Sequence, residues 1–227
     1  KRLKLPNDSG LFLAVMDGHG GDEVVQLCKD SLKGVVTKVT ENKEIVGLAE
    51  VQEIFKLLNE QTLEMYSGST LSLVFISYQH EIVYVGILGD SPVVIKDSDG
   101  QVNVSPDHNA RTNLKERKAA IKRGACYSGG YICEHPSGNG LQMTRSLGDT
   151  EFRNFLDRTP EVYSARIGSE SFVALLSDGV AAPGHGSSDS MKSVVSMIEN
   201  GASAIDLVKD ALKRKTRDNV TAIVWRR

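Results

Sequence analysis

The segment Leu11-Phe12-Leu13-Ala14-Val15-Met16-Asp17-Gly18-His19-Gly20-Gly21 governs the reading of the chain: an apolar run stops at an aspartate and turns through glycines around a histidine. A short apolar run bounded by turn residues suits a strand covered on both faces, although periodicity alone also admits a helix. The glycines favour the strand. Beyond them, Asp22 to Leu32 places Val24, Val25, Leu27, Cys28 and Leu32 on roughly one helical face, so the turn joins a strand to a helix. Glycines in such a turn let the backbone approach an ion or phosphate closely and free a main-chain carbonyl to act as a ligand. An ordinary Asp-Gly turn beside a surface histidine would read the same way. The rest of the chain has to decide.

Further along, Val35 to Tyr66 is mostly helical by its spacing, with Ile45, Leu48, Ala49, Ile54, Phe55, Leu57, Leu58 and Leu63 recurring at three or four residues. The texture then turns to strands at Leu71 to Tyr78, Ile82 to Leu88, Val93 to Lys96 and Val102 to Val104, an antiparallel meander with His80 solvated in a hairpin turn and a second hairpin at Asp99-Gly100. Asn113 to Gly124 is a helix with a glycine suited to its C-terminus. Its Lys115, Arg117, Lys118, Lys122 and Arg123 read as a solvated face before they read as a phosphate-attracting one. Tyr127 to Gly140 forms a hairpin or flap, Glu161 to Ile167 and Ser171 to Leu176 are strands, Ala202 to Lys213 is a helix, and Val220 to Trp225 is the final strand. Ala181 to Ser190 is expected to be a mobile loop of small residues.

A chain of 227 residues with 27 basic and 29 acidic side chains has no overall field that would argue for nucleic acid or a membrane as partner. One globular domain over residues 1–227 is the default, and a monomer is expected. Cys28, Cys126 and Cys133 are odd in number and lack a Cys-x-x-Cys pair, which argues against a disulfide framework and for a reducing compartment. Cys126, Cys133 and His135 have no fourth partner at zinc-site spacing. With no stretch of membrane-spanning length and no signal-type apolar core in the first ten residues, a cytoplasmic or nuclear location is expected. The chain also reads as opening in mid-domain, with no partner strand ahead of Leu11.

Twice more a charged residue interrupts an apolar strand edge, at Asp178 after the run Ser171 to Leu176 and at Asp218 before Val220. Carboxylates in such places are costly unless paired or bound to a cation. Hard oxygen ligands suit magnesium or manganese, and a pair of such ions can clamp an in-line phosphoryl displacement. His19 beside such a centre could protonate a leaving alkoxide.

The ordered series DGHGG (17–21), SGST (67–70), GDSP (89–92), SPDH (105–108), TRSLGD (144–149), TPEV (159–162), LSDGV (176–180) and RDNVTAIV (217–224) resembles the motif set of the metal-dependent protein serine/threonine phosphatases of type 2C. The resemblance implies an α+β fold, a four-layer α-β-β-α sandwich of two antiparallel sheets flanked by helices, with a dinuclear Mg2+ or Mn2+ centre at one end. It implies that Asp17 bridges the metals, that the Gly18 carbonyl, Asp178 and Asp218 are ligands, that Asp107 serves a weak third site, and that His19 is the general acid. It also implies a phosphoprotein substrate, hydrolysed by a water bridging the two metals. Ser69, Thr70, Asp90, Arg145 and Asp149 are read as holding the loops around the site, and His108, His135 and His185 as structural or exposed.

The departures from the family pattern are specific. The family carries a phosphate-binding arginine and an acidic pair ahead of the DGHG strand, and only a few residues precede Leu11 here, so strands of the family are expected to be missing from residues 1–227. SDGVAA replaces SDGLWD, which puts Ala182 where a carboxylate is expected, and GDSP replaces GDSR. Two further readings follow, a pseudophosphatase acting as a binding or regulatory scaffold and a metal hydrolase for small phosphate esters.

Overall fold

The computed structural model describes residues 2–4, 9–181 and 188–227. In chain order its elements are β1 (Arg2–Lys4), β2 (Ser9–Val15), β3 (Gly18–His19), α1 (Glu23–Thr40), α2 (Leu48–Thr62), β4 (Gly68–Ser69), β5 (Leu71–Ser77), β6 (Ile82–Leu88), β7 (Val93–Lys96) and β8 (Val102–Val104). There follow α3 (Leu114–Lys122), β9 (Cys126–Ser128), β10 (Tyr131–Cys133), β11 (Gly140–Leu141), β12 (Leu147–Gly148), β13 (Glu161–Arg166), β14 (Phe172–Leu176), α4 (Asp178–Ala181), α5 (Ser188–Glu199), α6 (Ala204–Lys213) and β15 (Ala222–Arg226).

Two antiparallel sheets carry the fold, one ordered β1-β2-β5-β6-β13 and the other β15-β14-β7-β8. Strand alternation explains how they stack. Leu71, Leu73 and Phe75 of β5 point into a core shared with Val24 and Cys28 of α1 and with Ile54, Phe55 and Leu58 of α2, while Val74 and Ile76 point the other way. There they meet Val173 and Leu175 of β14 and Val93 and Ile95 of β7 in the seam between the sheets. Phe172, Ala174 and Leu176 of β14 face outward onto Val194 and Ile198 of α5 and Leu207 of α6. The order is helices, sheet, sheet, helices, as expected. Each fully buried aliphatic or phenylalanine side chain in these layers contributes about 1.5–3 kcal/mol.

Several local expectations need correction. A strand does precede the opening run, since β1 pairs antiparallel with β2 in the register Arg2↔Leu11. The segment 71–104 is not one meander: β5 pairs with β6 and β7 with β8, and the chain crosses between sheets at residues 89–92. Pro92 has no N–H to extend a ladder, and the bend is tied down where the Ser72 hydroxyl donates to the Ser91 carbonyl. Helix α1 runs on through Gly34 to Thr40, because burying Val35 and Val36 outweighs the roughly 1 kcal/mol cost of a mid-helix glycine. Helix α5 was not legible as an element and begins within the expected loop; residues 182–187 of that loop, with His185, lie outside the described residues. His80 is half-buried rather than solvated, with Nε2 buried and without a hydrogen-bond partner among the described residues.

Candidate metal centre

Asp17, Asp178 and Asp218 leave strand ends at the same rim of the sandwich. Asp17 follows β2, and its turn is clamped from β4 and β5: its N–H donates to Thr70 Oγ1 at 3.0 Å and its carbonyl accepts from the Thr70 N–H at 2.9 Å. Thr70 Oγ1 shares a 2.7 Å hydrogen bond with Ser91 Oγ, which links the DGHG turn to the crossover bend bearing Asp90. On the second sheet, the Ser177 N–H donates to the Thr221 carbonyl at 2.9 Å and the Thr221 N–H to Ser177 Oγ at 3.1 Å. Gly179 makes that approach possible, for a Cβ there would lie 2.2 Å from the Asn219 carbonyl oxygen.

Between these ends lies a cavity of about 590 Å³, lined by Asp17, Gly18, His19, Asp90, Asp149, Asp178 and Asp218 and walled by Tyr66, Tyr131, Leu141, Met143 and Phe152. No lysine or arginine is among its described lining residues. The electrostatic result is severe. Burial, then the charges of Asp178 and Asp218, then a carboxyl–carboxyl contact with Asp178 push Asp17 up to about 7. Burial and the Asp178 charge likewise push Asp90 up to about 7, against the opposing 2.9 Å hydrogen bond from Asn109 Nδ2. Asp17 Oδ2 is buried without a hydrogen-bond partner among the described residues.

A crowded set of carboxyl oxygens, one of them buried and unsatisfied, is a donor set that fits a hard divalent cation. Among the described residues no three acidic, histidine or cysteine side chains close on one point as a preformed cage.

His19 reaches the cavity from β3, in a small sheet ordered β12-β4-β3. Its Nε2 lies 2.7 Å from Asp149 Oδ2, and Ser146 Oγ donates to the same oxygen at 2.5 Å. Asp149 is buried and has a left-handed backbone, φ 52°. The pair stands directly over Gly68, where a Cβ would come within 2.1 Å of Asp149 Oδ2 and 2.3 Å of His19 Nε2.

Asp107 does not line the cavity. It accepts from the Asn109 N–H at 2.9 Å and from the Thr112 hydroxyl, and sits close enough to Asp90 for its charge to be felt there. The TRSLGD segment has a structural task as well: Arg145 grips buried Glu116 at 2.7 and 3.1 Å, and Thr144 Oγ1 donates to the same carboxylate at 2.7 Å. Burial alone would raise Glu116, but these hydrogen bonds and the guanidinium charge overcome it and hold the group down to about 2. His108 is fully buried, accepts the Gly89 N–H on Nδ1 at 3.1 Å and faces Glu161 at 3.3 Å. The basic residues of α3 lie away from the cavity, with Arg117 over the Tyr127 ring at 4.5 Å. Asp90 and Asp149, read from the sequence as holding loops around the site, both line the cavity; Asp90 follows Gly89 at the end of the apolar run Ile82–Leu88.

The fold places the chain in a class of double-sheet sandwiches that includes solved protein phosphatases. One such structure, the catalytic domain of the serine/threonine protein phosphatase PstP in complex with two manganese ions, superposes with a TM-score of 0.61 at 18% identity, over 96% of this chain and 90% of that one. The chain belongs to the protein phosphatase 2C family, whose sequence model matches residues 2–220. Its relatives include probable protein phosphatase 2C 17 of Arabidopsis thaliana, 24% identical over 97% of this chain and 78% of that protein. Protein phosphatase 2C homolog 1 of Schizosaccharomyces pombe is 27% identical over 96% of this chain and 64% of its own length. No helix among the described residues is long and apolar enough to cross a membrane.

Proposed function

We propose that the chain is one catalytic domain that, as a monomer, hydrolyses phosphoserine and phosphothreonine in phosphoproteins with the help of two divalent cations, magnesium or manganese. The observation that carries this reading is Asp17, whose Oδ2 is buried without a hydrogen-bond partner among the described residues and whose carboxyl is driven up to about 7 by burial and by Asp178 and Asp218. Asp17, the Gly18 carbonyl, Asp178 and Asp218 would hold the ions, with Asp107 as an outlying contributor. Bound there, the ions would offset the carboxylate repulsion, hold the phosphoryl oxygens and make water acidic enough for attack at neutral pH. His19 would deliver a proton to the departing seryl or threonyl oxygen, so no covalent enzyme intermediate is needed. Tyr66, Tyr131 and Phe152 would flank the peptide and thin the water around the phosphoryl group.

The test is turnover of a phosphothreonine peptide with added Mg2+ or Mn2+, beside Asp17→Asn, Asp178→Asn and Asp218→Asn. Activity should need the metal and fall at least about 100-fold in each variant. Equal turnover in chelated buffer would overturn the metal reading. A scaffold reading is favoured by two features, the absence of lysine or arginine from the cavity's described lining and Ala182 in the sequence. Calorimetry separates the two, because a scaffold need not bind a pair of divalent ions tightly.

A further inference from the structure

His19 is not a free side chain at the end of a turn. The register that pairs Gly18 with Ser69 and His19 with Gly68, and then Leu147 with Ser69 and Gly148 with Gly68, carries the histidine and Asp149 to the two sides of one two-residue strand. A carboxylate oxygen only accepts, so at 2.7 Å the hydrogen lies on His19 Nε2. The Ser146 hydroxyl fixes that same oxygen, and the Asp149 N–H is held by the Ser67 carbonyl at 3.0 Å, so the acceptor is anchored through both side chain and backbone. The contact is made by a residue with a left-handed φ, unusual for a non-glycine, and over Gly68, where a Cβ would collide with both partners.

We propose that Asp149, steadied by Ser146, is the positioning residue for His19: it fixes the imidazole with Nε2 as the hydrogen-bearing nitrogen towards the carboxylate and leaves Nδ1 to face the chemistry. The inference rests on the phosphatase reading for its consequence and on geometry alone for its first half. In the reaction, water forms the new bond to phosphorus as the P–O ester bond breaks. The electron pair of that bond goes to the seryl or threonyl oxygen, which takes its proton from Nδ1 of the protonated ring. Asp149 acts through the ring's orientation and takes no proton from water or ester.

Two measurements decide it. Histidine-ring nitrogen NMR of the metal-free protein at about pH 8, with the His19 signals assigned by their loss in His19→Asn, should show the Nε2–H tautomer, giving way to a mixture in Asp149→Ala. The second measurement compares leaving groups, using a phosphothreonine peptide, whose alkoxide needs a proton, and p-nitrophenyl phosphate, whose phenolate does not. Asp149→Ala should lose at least about ten-fold more kcat on the peptide than on the aryl ester, Asp149→Asn should show a weaker bias, and Asp149→Ala placed on His19→Asn should add no further bias. An Nδ1–H tautomer in the parent protein, or equal losses on both substrates in folded variants, would overturn the proposal. A parent that shows the expected tautomer yet hydrolyses neither substrate with metal would refute the phosphatase reading and the catalytic half of this one, while the orienting contact would stand.

Discussion

Replacing Asp17 by asparagine should stabilise the metal-free protein, although Asp17 is placed at the centre of the site. The carboxyl's ordinary value is 3.8, and in the fold it is raised to about 7 by burial and by the neighbouring Asp178 and Asp218. At about 1.4 kcal/mol per pH unit, that gap sets a ceiling of about 4 kcal/mol. Asp17 opens onto a water-accessible cavity, so about half of that, roughly 2 kcal/mol, is expected. The sign follows from linkage. A carboxyl raised in the folded state keeps its proton there while the unfolded chain has lost its own, so stability declines as pH rises from about 4 to about 7 and the full cost is present above 7. Asparagine carries no charge and removes that slope. In chelated buffer the variant and parent should therefore unfold alike near pH 4 and diverge to about 2 kcal/mol near pH 8. For a chain of this size the divergence corresponds to about 4–8 °C in Tm. Urea denaturation across that range measures it. An Asp17→Asn protein that is less stable than its parent at pH 8, or a difference that does not change with pH, would refute the argument that charge crowding dominates the empty rim.

The Glu116–Arg145 pair should behave in the opposite sense, since Glu116 is held down to about 2: its contribution is present above about 4.5 and is lost as pH falls towards 2, and Arg145→Ala should cost about 3–5 kcal/mol at neutral pH by equilibrium unfolding. Gly68→Ala should displace the His19–Asp149 pair, cost about 1–3 kcal/mol, and lower peptide turnover at least about ten-fold, as read by steady-state kinetics beside a melting curve. Asn113 caps α3 by accepting from the Lys115 and Glu116 N–H groups, so Asn113→Ala should cost about 1 kcal/mol by denaturant titration with kcat little changed.

Most strands and the first helices were legible because the strands are apolar runs and the helices keep a regular spacing, while the sandwich they build was expected from the motif resemblance. What stayed hidden depended on pairings remote in sequence. Nothing near residues 89–92 says that the chain changes sheets there; that follows from Ser72 and Thr70 holding Ser91. Helix α5 escaped because it starts in a run of serines and glycines that reads as loop. Among the site residues, Asp17, Asp178 and Asp218 announced themselves as charges at the ends of apolar runs, and the cavity brings them together. Asp149 did not, because its partner lies 130 positions away and meets it only through a two-residue strand. Asp107 was marked by motif alone, and its carboxylate accepts from Asn109 and Thr112 in its own turn.

Asp17 and Asp90 hang from one sheet, Asp178 and Asp218 from the other, and the rim they share is the open mouth of the seam. When ionised together these groups repel one another across the two layers at that end. A cation seated among them would do the reverse, working as a detachable rivet across the halves of the sandwich, so that metal binding at the proposed site and the grip of one layer on the other would become a single property of the molecule.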